Sequence, residues 1–201
     1  MILYRYAEGS GSAALFEYIT DLDILSPTEL ICTDYGNGCL RLVNFTQTSA
    51  VTSTFAGKCG EYRVVDGSRL DTARFQGSIR VELNSNRSSV FVLDTSRNLR
   101  VIDLKTDYVT TIVTLSGHHL SMALFDDNPI YLLARHKVTA FKLDTNEQSV
   151  VAGGDSEGNA TGSFQQTRFN SPNKLLAWRD EQRALLLVID WLNNRFVKFS
   201  A

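Results

Sequence analysis

The sequence lacks the features that mark helical, disordered or nucleic-acid-binding proteins. Proline accounts for only 3 of 201 residues and no low-complexity tract occurs, which excludes a long disordered linker. Lys and Arg (20) nearly balance Asp and Glu (22) without a basic run, so no nucleic-acid partner is expected. No apolar run reaches the roughly 18 residues of a membrane span. Helical periodicity is also missing.

One pattern is instead repeated four times. Each copy has two apolar strands joined by a short polar turn and flanked by further strands, several with period-2 alternation or rich in Val and Thr. The hairpins cover residues 29–34 with 40–43, 90–94 with 99–102, 130–134 with 138–141, and 185–190 with 196–199. Because such repeats build stacked architectures, the sequence predicts an all-β fold, a β-propeller of about four blades with four antiparallel strands each.

The blade boundaries predict one domain over residues 1–201. The blades are approximately 19–57, 78–117, 118–154, and 172–201 plus 2–9. Residues 2–9 match the strand that the fourth repeat lacks, so we expect the N-terminal strand to close the last blade and remove two exposed edges. A fragment of a longer propeller is the alternative. Long and short connections alternate, which also fits two copies of a two-blade unit.

Polar residues in the hairpin turns carry a family resemblance. The chain is similar to NHL-repeat β-propellers, whose blades place Asp, Asn and Arg across the hairpin and often an Ala-Gly…Asp-Gly…Ala-Arg-Phe connection between blades. The positions that match the hairpin pattern are Asp34, Asn37, Asp94, Asp190, Asn193 and Arg195. In the first blade Cys39 occupies the arginine position, and the third blade lacks the Asp. We interpret these residues as structural, because Asp accepts turn N–H groups and Asn tolerates positive φ.

The three cysteines allow more than one pairing. Cys39 begins one strand of blade one and Cys59 follows the next, so their ends are neighbours and a Cys39–Cys59 bridge is geometrically reasonable. The resemblance to animal extracellular NHL-like sequences supports this pairing, with Cys32 left as a buried apolar residue. A Cys32–Cys39 bond and three reduced thiols are the alternatives. No spacing of Cys and His indicates zinc.

Three N-glycosylation sequons begin at Asn44, Asn86 and Asn159, all near turns or a long connection. Together with the cysteine pair they favour an extracellular or cell-surface protein. Residues 1–6 lack the basic start and apolar stretch of a signal peptide.

Catalysis finds little support in the sequence. Some NHL-like propellers are metal-dependent hydrolases or lyases, which need inward His or carboxylates from several blades. This chain has only three histidines: His118 and His119 in one short connection and His136 in a hairpin turn, interpreted as solvent-facing. Asp21 and Asp23 share a strand face but are more typical of solvated or capping residues. We therefore expect no catalytic residue, no metal and no cofactor, with a metal-dependent hydrolase or lyase as the alternative.

The favoured function is a non-catalytic scaffold that binds a protein partner or assembles with itself, because binding residues concentrate in loops on rigid folds. The long connections supply the candidate contacts, which are Tyr62, Arg63, Val64, Val65, Phe164, Arg168 and Phe169. A carbohydrate-binding propeller is a third hypothesis, but Trp178 and Trp191 both fall in blade four, so no aromatic pocket repeats from blade to blade.

Overall fold

A computed structural model of the chain describes residues 6–125, 127–179 and 183–200, and it divides into two compact units, Met1–Leu115 and Ser116–Ala201. Within the described residues the regular structure consists of strands and short 3-10 turns. No helix in that part has the length and apolar character needed to cross a membrane. The strands form four antiparallel sheets, one for each predicted blade.

Unit one contains the first two sheets, each with five strands. Strand order is β1-β5-β4-β3-β2 in blade one and β6-β10-β9-β8-β7 in blade two. The blade-one strands are β1 Gly9–Ser10, β2 Ile19–Ser26, β3 Glu29–Asp34, β4 Cys39–Phe45 and β5 Ala50–Ala56. The blade-two strands are β6 Gly67–Ser68, β7 Ser78–Leu83, β8 Ser89–Asp94, β9 Asn98–Asp103 and β10 Tyr108–Thr114.

Unit two contains blade three, ordered β11-β12-β13-β14, and blade four, ordered β15-β16-β17. The strands are β11 His119–Leu124, β12 Ile130–Ala134, β13 Lys137–Phe141, β14 Gln148–Gly153, β15 Pro172–Arg179, β16 Ala184–Asp190 and β17 Arg195–Ser200. Every predicted strand of the four hairpins is present, because alternating apolar residues bounded by turn residues specify strands locally.

Each unit has its own core between two sheets. In unit one Ile31 and Phe55 of blade one pack in a cluster with Val81 and Val90 of blade two. In unit two Tyr131 of blade three packs in a cluster with Leu175 and Leu186 of blade four. Alternation along the strands therefore places apolar side chains between neighbouring blades, where their burial stabilises the fold.

The predicted N-terminal closing strand lies largely outside the described residues, which begin at Tyr6. The described end of that segment pairs within blade one: Ala7 bridges to Leu15, and Gly9 and Ser10 pair with β5. Blade two repeats this arrangement, since Gly67 and Ser68 pair with β10. A short fifth strand in each of these sheets was not predicted, because two residues are too few for a periodic signal.

Candidate binding sites

The turn residues of blade four form one hydrogen-bonded cluster. The carboxylate of Asp190 is fully buried. Its Oδ2 accepts from Arg195 Nε at 2.8 Å and from Asn193 Nδ2 at 2.8 Å, while its Oδ1 accepts from the Asn170 backbone N–H at 2.7 Å. Arg195 then donates to the carbonyl oxygens of Asn159 and Arg168. The cluster therefore ties the hairpin to the incoming connection, as a structural role requires.

Blade one builds the same cluster with an arginine from a different position. Asp34 and Cys39 are paired across the hairpin as Asp190 and Arg195 are in blade four. The guanidinium comes instead from Arg41, two residues further on the same face of β4, and donates to Asp34 Oδ2 at 3.0 Å. Both side chains are fully buried. Arg41 was not among the predicted residues, although an arginine between two leucines of a core strand is a signal that the sequence contains.

Arg41 also fixes the chain that precedes blade one. Its Nη2 donates to the Ala7 carbonyl at 2.9 Å and its Nη1 to the Leu15 carbonyl at 3.1 Å. The rings of Tyr6 and Phe16 lie 4.7 and 4.9 Å from its guanidinium carbon. These contacts satisfy a charge that would otherwise be costly to bury.

In blade two the turn aspartate and the strand arginine bind different partners. Asp94 accepts hydrogen bonds from the backbone and side chain of Asn98. Burial raises the pKa of Asp94. Arg100, at the position equivalent to Arg41, donates to the carbonyl oxygens of Arg74 and Val65 and to Asp66.

The expected role of the turn asparagines needs a correction. Positive φ was expected at Asn37 and Asn193, yet both lie outside the left-handed region, which is adopted by the next residues, Gly38 (φ 64°) and Asn194 (φ 49°). Asn37 and Asn193 instead use their side-chain amides to hold the aspartate. Either of the two adjacent turn residues could adopt positive φ. The asparagine whose side-chain amide binds the aspartate does not adopt it, and the residue after it does.

The predicted Cys39–Cys59 disulfide is confirmed, with Cα atoms 5.0 Å apart. Cys32 is free and buried. Burial raises the pKa of the Cys32 thiol to about 11, with the Asp34 carboxylate adding to the effect.

Cys32 should therefore resist alkylation in the folded protein. The thiolate is the nucleophile, and at pH 8 a thiol with a pKa near 11 is almost fully protonated as well as buried. Iodoacetamide followed by mass spectrometry should show no label on the native chain and one label in guanidinium chloride. Rapid labelling of Cys32 in the native protein would show that its thiol is not buried with a raised pKa.

The loop of residues 58–66 is anchored at several points. The disulfide holds Cys59, and the Gly60 N–H donates to the Asn37 carbonyl at 2.8 Å. Tyr62 Oη donates to the Gly36 carbonyl at 2.6 Å. The loop backbone is thus held on blade one by a covalent bond and by hydrogen bonds.

Charged groups also hold this loop. Hydrogen bonds from Lys58, within the loop, and from Arg74, in the connection before β7, lower the pKa of Glu61 to about 2. The backbone of Val65 exchanges two hydrogen bonds with that of Arg74. Arg100 closes the loop end by binding the Val65 carbonyl at 2.7 Å.

Three side chains project from this rigid backbone. Val64 and Val65 are 40% and 39% exposed, and Arg63 is exposed as well. Two neighbouring, partly exposed valines beside an exposed arginine form a small amphipathic patch on this backbone. Tyr62, the fourth predicted contact of this loop, is half-buried and packs near Gly38.

The second long connection fits the prediction only in part. Phe169 is fully buried in the core of unit two, so its prediction as an exposed interaction residue is wrong; its ring fills the space between blades three and four. Phe164 is 39% exposed and its ring centroid lies 5.2 Å from that of Phe199. Arg168 is half-buried and donates to the Gln165 and Thr167 carbonyls.

Unit two also contains a cavity of about 380 Å³ at one end of blade three. All three histidines of the chain line it. The interpretation of these histidines as solvent-facing is wrong for His119, which is 6% exposed, because it belongs to β11 and pairs with Ala134. The remaining lining comes from residues 116–117, 134–135, 137, 139, 148–150 and 154–155.

The surroundings of His119 disfavour its charged form. Burial lowers the pKa of His119 and the charge of Lys137 acts in the same direction, while a hydrogen bond with the Gly117 carbonyl opposes them. Lys137 Nζ lies 2.7 Å from Asp155 Oδ1. His136 Nδ1 is buried and has no hydrogen-bond partner.

The described residues contain no group of three or more His, Cys, Asp or Glu placed to hold a metal ion. Asp21 and Asp23, weighed as a cation site, instead accept backbone N–H groups of β7: Asp21 from Val81 at 3.3 Å and Asp23 from Leu83 at 2.7 Å. They therefore join blade one to blade two within unit one.

Comparison with known proteins identifies the fold. No family model and no curated protein matches the sequence. Among solved structures, an auxiliary nutrient binding protein from Bacteroides thetaiotaomicron is similar with a TM-score of 0.63 and 14% identity, over 90% of this chain and 47% of that chain. The Cps50 (Swd1) β-propeller domain of Myceliophthora thermophila gives 0.56 and 11% identity, over 91% and 54%. A chain from a nidogen/laminin complex gives 0.56 and 10%, over 92% and 81%.

The protein therefore has a β-propeller fold with four blades, as the sequence predicted. The chain spans about half the length of the Swd1 and nutrient-binding chains. Identities of 10–14% show shared fold and nothing finer.

Proposed function

We propose that this protein is a non-catalytic, NHL-like β-propeller scaffold that binds another protein through the 58–66 loop. The proposal rests on one observation: the backbone of this loop is held by hydrogen bonds while Arg63, Val64 and Val65 are exposed. A loop that is already ordered loses little conformational entropy on binding. Arginine is also enriched in protein interfaces.

Two further observations support a scaffold. The Asp, Asn and Arg side chains of blades one and four hydrogen-bond to one another and stabilise the turns, which agrees with the NHL-like pattern. A neighbour of the same fold comes from a nidogen/laminin complex, so in that case the fold occurs in an assembly of proteins.

Site-specific photocrosslinking tests the proposal. A photoreactive residue at position 64 should give a discrete crosslinked partner that is lost when Val65→Asp is added. The matched control places the probe at Leu192, an aliphatic residue of unit two that is 53% exposed. Identical crosslinks from positions 64 and 192, or crosslinks unaffected by Val65→Asp, would refute loop-directed binding.

We further propose an extracellular or cell-surface location, which the disulfide supports because such bonds persist in oxidising compartments. On secretion from animal cells, Asn86 and Asn159 should be better glycan acceptors than Asn44. Asn86 is exposed in the β7–β8 turn and Asn159 is exposed in the long connection after β14, whereas Asn44 is half-buried in β4 and its Nδ2 donates to Glu29 at 3.1 Å.

Glycopeptide mass spectrometry measures this directly. Asn86→Gln and Asn159→Gln should each remove glycan mass, and Asn44→Gln should leave it unchanged. A secreted protein without glycan at both Asn86 and Asn159, or one modified chiefly at Asn44, would contradict the expected accessibility.

A further inference from the structure

We propose that the histidine cavity of unit two binds a small ligand carrying an oxyanion, either a phosphate or a carboxylate group. This site is separate from the 58–66 loop and does not depend on the protein-binding proposal. Its volume of about 380 Å³ falls within the roughly 300–1,000 Å³ typical of small-molecule sites.

Two basic side chains line the cavity. Arg135 is exposed and has no hydrogen bond or ion pair among the residues that the structure describes. Lys137, the first residue of β13, contacts Asp155, the acidic member of the lining. Arg168 lies outside the lining but next to its member Gly154, since a Cβ built on that glycine would lie 3.0 Å from the Arg168 Cζ.

The lining thus has two basic side chains and one carboxylate, Asp155. The Asp155 side chain is 93% exposed, so water screens its ion pair with Lys137, and Arg135 has no counter-charge among the described residues. Arginine is well suited to a phosphate or carboxylate, because its planar fork can donate two parallel hydrogen bonds to such a group.

His136 supplies the second observation. It lines the cavity, and its Nδ1 is buried without a hydrogen-bond partner, which is uncommon for polar atoms in folded proteins. In the tautomer with hydrogen on Nδ1, a rotation of the ring toward the cavity would let it donate to an oxyanion. A metal cation would also complete this nitrogen, but the charges of Arg135, Lys137 and Arg168 oppose a cation there.

Neutral donors and acceptors complete the lining. Gln148 Nε2 donates to Thr139 Oγ1 at 2.8 Å, which fixes two polar side chains at the wall of the cavity. Ser116 and Ser149 add hydroxyl groups to the lining. Such groups can orient the part of a ligand that extends beyond its charged end.

Isothermal titration calorimetry of the full chain at low ionic strength tests the proposal, with inorganic phosphate and acetate as probes. We expect saturable binding to one site. Arg135→Gln should weaken binding about tenfold to a hundredfold, the effect of losing one charge-assisted hydrogen bond. Asp155→Asn should tighten binding severalfold, because it removes the opposing carboxylate. His136→Gln should weaken binding as well.

Lys142→Gln is the matched control, since Lys142 belongs to an exposed ion pair with Glu147 in the same blade but outside the lining. It should leave binding unchanged, and circular dichroism should show every variant folded. Phosphate binding alone assigns a phosphate ligand, and binding of both probes extends the site to carboxylates. The proposal would be overturned if neither probe binds, or if Arg135→Gln and Lys142→Gln weaken binding equally. Saturable Zn²⁺ binding that His136→Gln abolishes would also overturn it.

Discussion

Replacing Arg41 by methionine should lower the free energy of unfolding by about 3–5 kcal/mol, the usual cost of breaking a buried ion pair by removing one partner. The substitution leaves the fully buried Asp34 carboxylate without its cation, and the carbonyls of Ala7 and Leu15 without their donor. Calorimetry should show a melting temperature lower by about 10 °C for a chain of this size. Hydrogen exchange should increase most in β1 to β5.

Two variants make this prediction specific. Arg63→Met removes an exposed arginine of the same unit and should leave stability unchanged. Arg41→Met combined with Asp34→Leu should be more stable than Arg41→Met alone, because removing both charges leaves no carboxylate buried without a cation. Equal stability of Arg41→Met and Arg63→Met would show that the buried pair has no special role.

Loss of the Cys39–Cys59 bridge should be the second large effect. The bond closes a loop with a sequence separation of 20, which corresponds to about 3 kcal/mol of loop-closure entropy in the unfolded chain. The Cys39→Ala/Cys59→Ala variant should therefore unfold at lower denaturant concentration by about that free energy. Thermal and guanidinium unfolding of the oxidised protein and the double variant measure the difference.

A reductant supplies the control. Dithiothreitol should destabilise the wild-type protein and leave the double variant unchanged, since Cys32 has no bridge to lose. Mass spectrometry of the untreated protein should count one free thiol. Three free thiols in the secreted protein would overturn both the pairing and the extracellular proposal.

The disulfide also bears on binding, because it holds one end of the 58–66 loop. Without it, Gly60 and Tyr62 still have their hydrogen bonds to Asn37 and Gly36. We therefore expect the loop to become less ordered rather than to detach. A less ordered loop loses more conformational entropy on binding, so partner affinity should fall even though the exposed side chains of the loop are unchanged.

Local signals in the sequence determined the strands and the repeats, and they made the Cys39–Cys59 pairing one of three possibilities. Residues 29–34 and 130–134, for example, are predicted and observed as strands over the same range, because apolar side chains bounded by turn residues specify a strand without reference to distant contacts. Cys39 and Cys59 pair because antiparallel register brings the ends of successive strands together.

Only the tertiary structure decided which residue fills each role. Residues 39 and 41 share a face of β4, so the strand pattern permits either to reach Asp34, and the carbonyls of Ala7 and Leu15 select Arg41. Phe169 and His119 looked like loop residues, but their burial depends on neighbouring strands and sheets that lie close in space. The sequence by itself thus determined the four blades. The histidine cavity and the ordered 58–66 loop arise from contacts between segments that are separated along the chain.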